Sequence, residues 1–332
     1  MRSWGARVAR KVRRRSSRGV VLCYHRVSGP RLDPARLDVP PALFAAHLAV
    51  LRAQAQPMPL AEFEAARRAG RLPARAVAVT FDDGYADNLY AALPLLEVNH
   101  VPATVFVTTC GVDAPGEFWW DVLARAVYAA HALPESLELN AEGNRFTWRL
   151  DEPAGAPLPG ARAEDTRRPL YAALSAWLRP LSAAAQREAA AQLKAWSGTD
   201  DCAADAHRRL GVHELQTLAR SSLIEIGSHS VTHPVLGQRS AAEQQTECAD
   251  SRAALSQWLG AAPRFFAYPF GEGAAVGRRA ESAVRAAGYE AAFTTDARAA
   301  WRWNRRTAVP RVEAQAWDGA EFARRLDAWF EA

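Results

Sequence analysis

Cysteine is scarce in this chain. The four in 332 residues, Cys23, Cys110, Cys202 and Cys248, form no CxxC or other close-spaced set. That argues against a disulfide-stapled scaffold and against a clustered thiolate metal site, and it leaves free thiols packed in a reducing compartment. Long apolar runs are also missing. Nowhere do 18 apolar residues follow one another, so no transmembrane helix is expected. The run Val20 to Tyr24 is too short for a secretory segment and passes directly into charged residues. A cytoplasmic location is the expectation.

Acid is absent from residues 1–18, which hold eight cations: Arg2, Arg7, Arg10, Lys11, Arg13, Arg14, Arg15 and Arg18. The whole chain is net +5, so the body beyond this arm is net −3. Such a body offers no continuing basic surface, and no nucleic-acid partner is expected. Trp4, Val8 and Val12 recur every fourth residue among the cations. This spacing suits either a solvated arm or a peripheral contact with anionic lipid at the inner face of the membrane.

The body alternates short β-rich runs with helical stretches. Strands are expected at Gly19–Cys23, Ala76–Phe81, Ala103–Val107, Leu223–Ile226, Arg264–Tyr268, Ala291–Thr294 and near Val309–Val312. Helices are expected near Leu43–Ala53, Ala86–Val98, Ala241–Leu259, Arg278–Ala287 and Ala320–Phe330. Strand and helix in repeated order predict an α/β fold, a parallel sheet or barrel whose functional residues gather at the C-terminal ends of strands. The stretch 113–221 breaks the rhythm and is too long for one crossover. It carries a hairpin (Leu137–Leu139 with Phe146–Trp148), a Pro/Gly-rich loop (Glu152–Gly160) and two helices (Ala163–Leu178, Ser182–Trp196). It reads as a largely helical insertion between 19–112 and 222–332.

Two motifs carry chemistry. Thr80-Phe81-Asp82-Asp83-Gly84 sets adjacent carboxylates at a strand end. One of the pair can ligate a metal while the other stays a free base. Gly227-Ser228-His229-Ser230-Val231-Thr232-His233 sets two histidines four apart, again after a strand. One Asp and two His leave coordination positions open for water and substrate, the design of a catalytic metal site.

TFDDG followed by H-[ST]-x-x-H resembles the polysaccharide deacetylase family, carbohydrate esterase family 4. The resemblance covers roughly residues 19–112 and 222–315. It implies a distorted (β/α) barrel of about seven strands. It also implies Asp82 as catalytic base, and Asp83, His229 and His233 as ligands of one divalent ion, Zn²⁺ or Co²⁺ by type. Tyr268-Pro269-Phe270-Gly271 is similar to the groove motif in which a backbone N–H stabilises an oxyanion, although Phe270 stands where Tyr is common and Ala267 where Arg is common. Arg311 is the candidate cation beside Asp82. The late His motif of the family is missing, since no His follows His233. Tyr24-His25 matches the permuted poly-N-acetylglucosamine deacetylase-like subset, which implies His25 as the general acid. Trp119 and Trp120 are candidates for stacking on sugar. The implied partner is an N-acetylated carbohydrate. An O-acetyl esterase, or a membrane-surface glycan-binding protein with an inactive site, are the alternatives.

Overall fold

The computed structural model describes residues 18–29, 33–112, 116–149, 163–199 and 207–331. The basic arm up to residue 17, the loop Glu152–Gly160 and Cys202 lie outside the described residues. The chain divides into two compact units, one of Met1–Gly29, Arg36–Asp113 and Leu210–Ala332, the other of Pro30–Ala35 and Ala114–Arg209.

Parallel strands covered on both faces need near-continuous apolar residues, and the larger unit supplies them. Its elements are β1 (Arg18–Tyr24), α1 (Pro41–Gln54), β2 (Gln56–Pro57), α2 (Leu60–Arg68), β3 (Ala76–Phe81), α3 (Leu93–Asn99) and β4 (Ala103–Val107). After the excursion into the other unit come α4 (Val212–Ala219), β5 (Ile224–Ser228), α5 (Ala241–Leu259), β6 (Phe265–Ala267), α6 (Gly273–Ala286) and β7 (Ala291–Phe293). The chain ends through β8 (Ala300–Trp301), β9 (Val312–Glu313) and α7 (Gly319–Glu331). The sheet runs β8-β1-β3-β4-β5-β6-β7, with β9 on β1 and β2 on β3. Every pair is parallel except β1 with β8.

The sheet curls until its ends meet. Val309 donates to Ala292 of β7, and its carbonyl accepts from Thr294. Three residues on, Val312 and Glu313 pair with Leu22 and Cys23 of β1. Segment 309–313 therefore bridges first and last strands, giving a distorted (β/α) barrel.

The period of two along each strand sorts side chains between two cores. Val20, Leu22 and Tyr24, with Val77, Val79 and Phe81, pack against Phe44, Leu48, Leu51 and Phe322 of the flanking helices. Val21, Ala76 and Ala78 join Phe106, Phe265 and Phe293 in a second core. Continuing the second set along β1 and β3 leads to Cys23, His25, Thr80 and Asp82. The same alternation that fills the barrel thus delivers polar groups at its C-terminal mouth.

Several elements differ from the sequence reading. The helix expected at Ala86–Val98 opens with a π turn, Asn88–Ala92, before α3. The short helix α2 was not anticipated. It buries Leu60, Phe63 and Arg67, and Arg67 donates to Glu64 (2.6 and 2.7 Å) and to the Trp301 carbonyl (2.6 Å). Cys23 and Cys248 are buried free thiols, and Cys110 is a half-buried one. Among the described residues no helix is long and apolar enough to cross a membrane.

The smaller unit holds helices Trp119–Tyr128, Ala163–Leu178 and Ala183–Ser197 and an antiparallel hairpin, Ser136–Ala141 with Asn144–Arg149. Glu142 and Gly143 form its two-residue turn, both at positive φ (56° and 75°), as a tight hairpin of this twist demands. Leu137, Leu139 and Ala141 alternate inward onto Leu123, Leu170, Leu174 and Leu193. The boundary at 221 moves to 209, because Leu215 and Leu218 of α4 pack into the barrel's helix-side core.

Candidate active site

Strand β3 ends in the turn that carries the paired carboxylates. The Asp82 N–H donates to the Tyr24 carbonyl (2.9 Å), which extends the β1–β3 ladder by one residue. Asp83 then adopts φ 72° and Gly84 φ 80°. This reversal directs the two side chains to different partners. A Cβ on Gly84 would lie 3.1 Å from a Val107 methyl, so the turn packs tightly on β4.

Asp82 is 2% exposed and is gripped by Arg311, itself fully buried. Arg311 donates from Nη1 to Oδ1 and from Nη2 to Oδ2, both at 2.6 Å. Its remaining donors reach Thr80 Oγ1 (3.1 Å) and the Thr294 carbonyl (3.3 Å). The Cys23 thiol donates to Asp82 Oδ2 at 3.4 Å. Burial pushes the Asp82 carboxyl up, but Arg311 first and His229 second pull it further down, so it stays ionised below the ordinary carboxylate range. Burial with opposite effect is also the first influence on Arg311, and Asp82 reverses it, holding the guanidinium firmly charged.

Asp83 faces the two histidines. Its Oδ1 lies 3.5 Å from His229 Nε2 and 3.3 Å from His233 Nε2. The ligand atoms of the three residues all fall within 4.8 Å of one another, and all three residues are buried. Burial raises the Asp83 carboxyl, and the two imidazoles outweigh it, leaving it well below its usual range. His229 Nδ1 sits 2.8 Å from the Ala267 carbonyl. A carbonyl only accepts, so Nδ1 carries a proton, which leaves Nε2 as the atom that faces the Asp83 oxygen. Two imidazole Nε2 atoms and a carboxylate oxygen thus converge in one buried site. Two imidazole nitrogens and one carboxylate suit a borderline divalent ion such as zinc.

The loop between the histidines is held by a residue the sequence reading missed. Glu247, on α5, accepts from the N–H groups of Val231 (2.8 Å) and Thr232 (2.9 Å) and from the Thr232 hydroxyl (2.5 Å). The Ser230 hydroxyl accepts from the His233 N–H at 3.0 Å. These bonds hold Ser230 at φ 67° and His233 at φ 60°, a backbone region that side chains seldom adopt.

His25 stands where the alternation of β1 points it. A ring nitrogen, the Cys23 sulfur and an Asp82 oxygen lie within 4.8 Å of one another. Its carbonyl accepts from Asn88 Nδ2 at 2.9 Å, and the Val27 N–H donates to Asp87 at 3.2 Å, which pins the segment.

The motif Tyr268-Pro269-Phe270-Gly271 divides. The Phe270 ring meets His233 edge-on at 4.8 Å, with φ 62° at Phe270 and 61° at Gly271. A Cβ on Gly271 would come within 2.7 Å of the Thr295 backbone, so only glycine fits. The Tyr268 side chain does not face the groove. It is fully buried with Phe266 and Tyr289, and its hydroxyl donates to the Thr307 carbonyl at 2.9 Å. Within the smaller unit Trp120 is 8% exposed and stacks on Phe118 at 4.3 Å, so packing already occupies that indole. Trp119 is half-buried against the same unit's core.

Fold and site together define a barrel enzyme whose His–His–Asp centre adjoins a buried, ion-paired carboxylate. Residues 69–134 and 194–292 match the family model for polysaccharide deacetylase. The chain belongs to the polysaccharide deacetylase family. The matched residues include Asp82, Asp83, His229, His233 and the Tyr268–Gly271 segment, and leave out His25 and Arg311. No curated protein matches the sequence. Among solved structures, IcaB from Ammonifex degensii shares 20% identity over 95% of this chain and 98% of its own, with TM-score 0.58. The Streptococcus pyogenes deacetylase PplD, solved with acetate, shares 17% over 93% and 98%, TM-score 0.58. A de-N-acetylase from Aggregatibacter actinomycetemcomitans shares 15% over 93% and 99%, TM-score 0.56. At these identities the likeness is one of fold.

Proposed function

We propose that this chain is a metal-dependent hydrolase that removes the N-acetyl group from an amino sugar in a glycan or glycan precursor. The observation that carries the reading is the convergence of Asp83, His229 and His233 beside Asp82, a base kept ionised by Arg311. Two of the structural neighbours, a deacetylase in complex with acetate and a de-N-acetylase, carry out chemistry of the same kind, which supports the reading.

Asp83, His229 and His233 would hold the ion. When bound, a divalent metal supplies Lewis-acid polarisation of the acetyl carbonyl and of a water. The chain's own residues do the rest. Asp82 accepts a proton from the attacking water, and its Oδ1, which takes one bond from Arg311 while Oδ2 also takes the Cys23 thiol, keeps a lone pair for that purpose. A backbone N–H at the Phe270 turn stabilises the tetrahedral oxyanion. His25 gives a proton to the departing nitrogen as the C–N bond breaks. One water and one amide become acetate and a free amine.

The test is acetate release from N-acetylated sugars and O-acetylated glycans, with chelator, then with Zn²⁺ or Co²⁺ restored. Metal-dependent release from the N-acetyl panel, lost in Asp82→Asn, is the expected result. Release from esters alone overturns the amide reading in favour of an esterase. Metal that neither binds nor restores turnover would leave a glycan-binding protein with an inactive site.

A further inference from the structure

A cleft of about 610 Å³ opens in the barrel unit between α6 and the excursion that carries β8. That size is typical of ligand sites. Gly271 and Thr294 are among the residues that line it. Gly271 directly follows Phe270, whose ring meets His233, and the Thr294 carbonyl accepts from Arg311. The cleft therefore shares a wall with the groups that hold Asp82 and the histidines.

Its other walls have a distinct chemistry. Trp301 and Trp303 both line it, and Trp303 is 65% exposed, one of the largest uncovered apolar surfaces among the described residues. Arg278, Arg298 and Arg305 line it as well, and the Arg302 guanidinium lies 4.3 Å from the Trp303 ring. Two carboxylates answer these four cations. Glu281 is engaged by Arg305 (2.9 Å) and by the Thr307 hydroxyl (2.6 Å), and Asp296 by Arg298 (2.6 Å). Positive charge is left over here, in a body whose net charge beyond the arm is negative.

An open cleft with indole faces and surplus guanidiniums fits a flat, partly apolar ring that carries an anion. Indole takes the C–H face of a sugar, and guanidinium takes a carboxylate or phosphate through paired N–H donors. We propose that this cleft is an accessory subsite for acidic sugar units, bearing carboxylate or phosphate, on the glycan whose N-acetyl group reaches the metal centre. The inference rests on the deacetylase reading and names the substrate's charge class. Trp303 and Arg278 are its principal contacts.

The experiment is calorimetric titration of the full-length Asp82→Asn protein, which turns nothing over. The probes are a hyaluronan oligosaccharide, in which N-acetylglucosamine alternates with glucuronate, and a chitin oligosaccharide of equal length, which is neutral. The expected result is about tenfold tighter binding of the acidic oligomer at low salt, the scale of one charged hydrogen bond. The preference shrinks as salt rises, and it collapses in Arg278→Glu and in Trp303→Ala, both exposed positions whose melting temperatures serve as the folding control. Equal affinity for the two sugars overturns the proposal, as does a preference that survives both variants. Equal competition by inorganic polyphosphate of matched charge also overturns it, because the indoles would then contribute nothing. Acetate release by the unsubstituted enzyme separates the two ideas. Release without acidic preference sinks the subsite alone, and acidic binding without release sinks the catalytic reading.

Discussion

Replacing Arg311 by methionine leaves the Asp82 carboxylate buried with its counter-ion gone. In the native fold two 2.6 Å bonds to Arg311 offset the cost of burying that charge. Breaking a buried pair from one side costs about 3–5 kcal/mol. Burial is the largest influence on Asp82 and acts upward, so without Arg311 the carboxyl rises instead of falling. Proton uptake by the buried carboxyl is the route by which the variant relieves that cost. The sign for the native protein is the usual one for a depressed carboxylate. Its stabilisation is present above the unfolded value near 4 and is lost as pH falls through the lower folded value. In Arg311→Met the sign inverts. The deficit against the native protein is greatest near neutrality and shrinks as acid neutralises Asp82. Urea unfolding at several pH values reads the first effect. The pH profile of kcat/KM for acetate release reads the second, with the acidic limb displaced upward. Arg311→Lys, which keeps the charge but not the fork, falls between the two. A stability loss under about 1 kcal/mol with an unmoved acidic limb would refute the reasoning.

Glu247→Gln weakens three bonds to the loop between the histidines. It is expected to lower zinc affinity about tenfold or more in competition with a chromophoric chelator, with little change in melting of the metal-free protein. His47 Nε2 donates to the Trp317 carbonyl at 2.8 Å, so Nδ1 of the neutral ring accepts from the Tyr24 hydroxyl at 3.2 Å. Burial pushes its pKa down to about 4, so the unfolded chain binds more protons between there and pH 6.5, and stability falls by up to about 3 kcal/mol on acidification across that window. A His47→Gln protein whose urea midpoint keeps the same slope against pH would contradict this. The basic arm, residues 1–18, is proposed to hold the protein to anionic lipid at the cytoplasmic face. Co-sedimentation with phosphatidylserine vesicles, lost on deleting the arm and weakened by salt, is expected, and equal binding without it would exclude that role.

The strands were legible because parallel sheets are apolar on both faces. Ala76–Phe81 and Ala103–Val107 stand out as runs before any fold is known, and both match the observed limits. The convergence of Asp82, Asp83, His229 and His233 was legible for a related reason, since each motif sits where a strand must end. Tyr268 was not. Strand β6 spans only three residues, too few to show which way the next side chain turns, and the deciding partner is a carbonyl at Thr307. Glu247 was hidden differently. It lies on a helix with ordinary polar neighbours, and its importance comes from backbone N–H groups that no sequence pattern displays. Trp120 shows the general difficulty with aromatic clusters, because a stacked core pair and a sugar platform are written with the same letters.

The bond between Asp82 and Arg311 spans 229 residues. During synthesis the ribosome therefore releases the carboxylate long before the guanidinium that pairs with it. Until residue 311 arrives, β3 offers its barrel partners a strand tipped with an unmatched charge, and β1 lacks the short strand that closes the ring. The barrel's last segment thus does two things at once, adding the short strand beside β1 and supplying the cation that pairs the buried carboxylate.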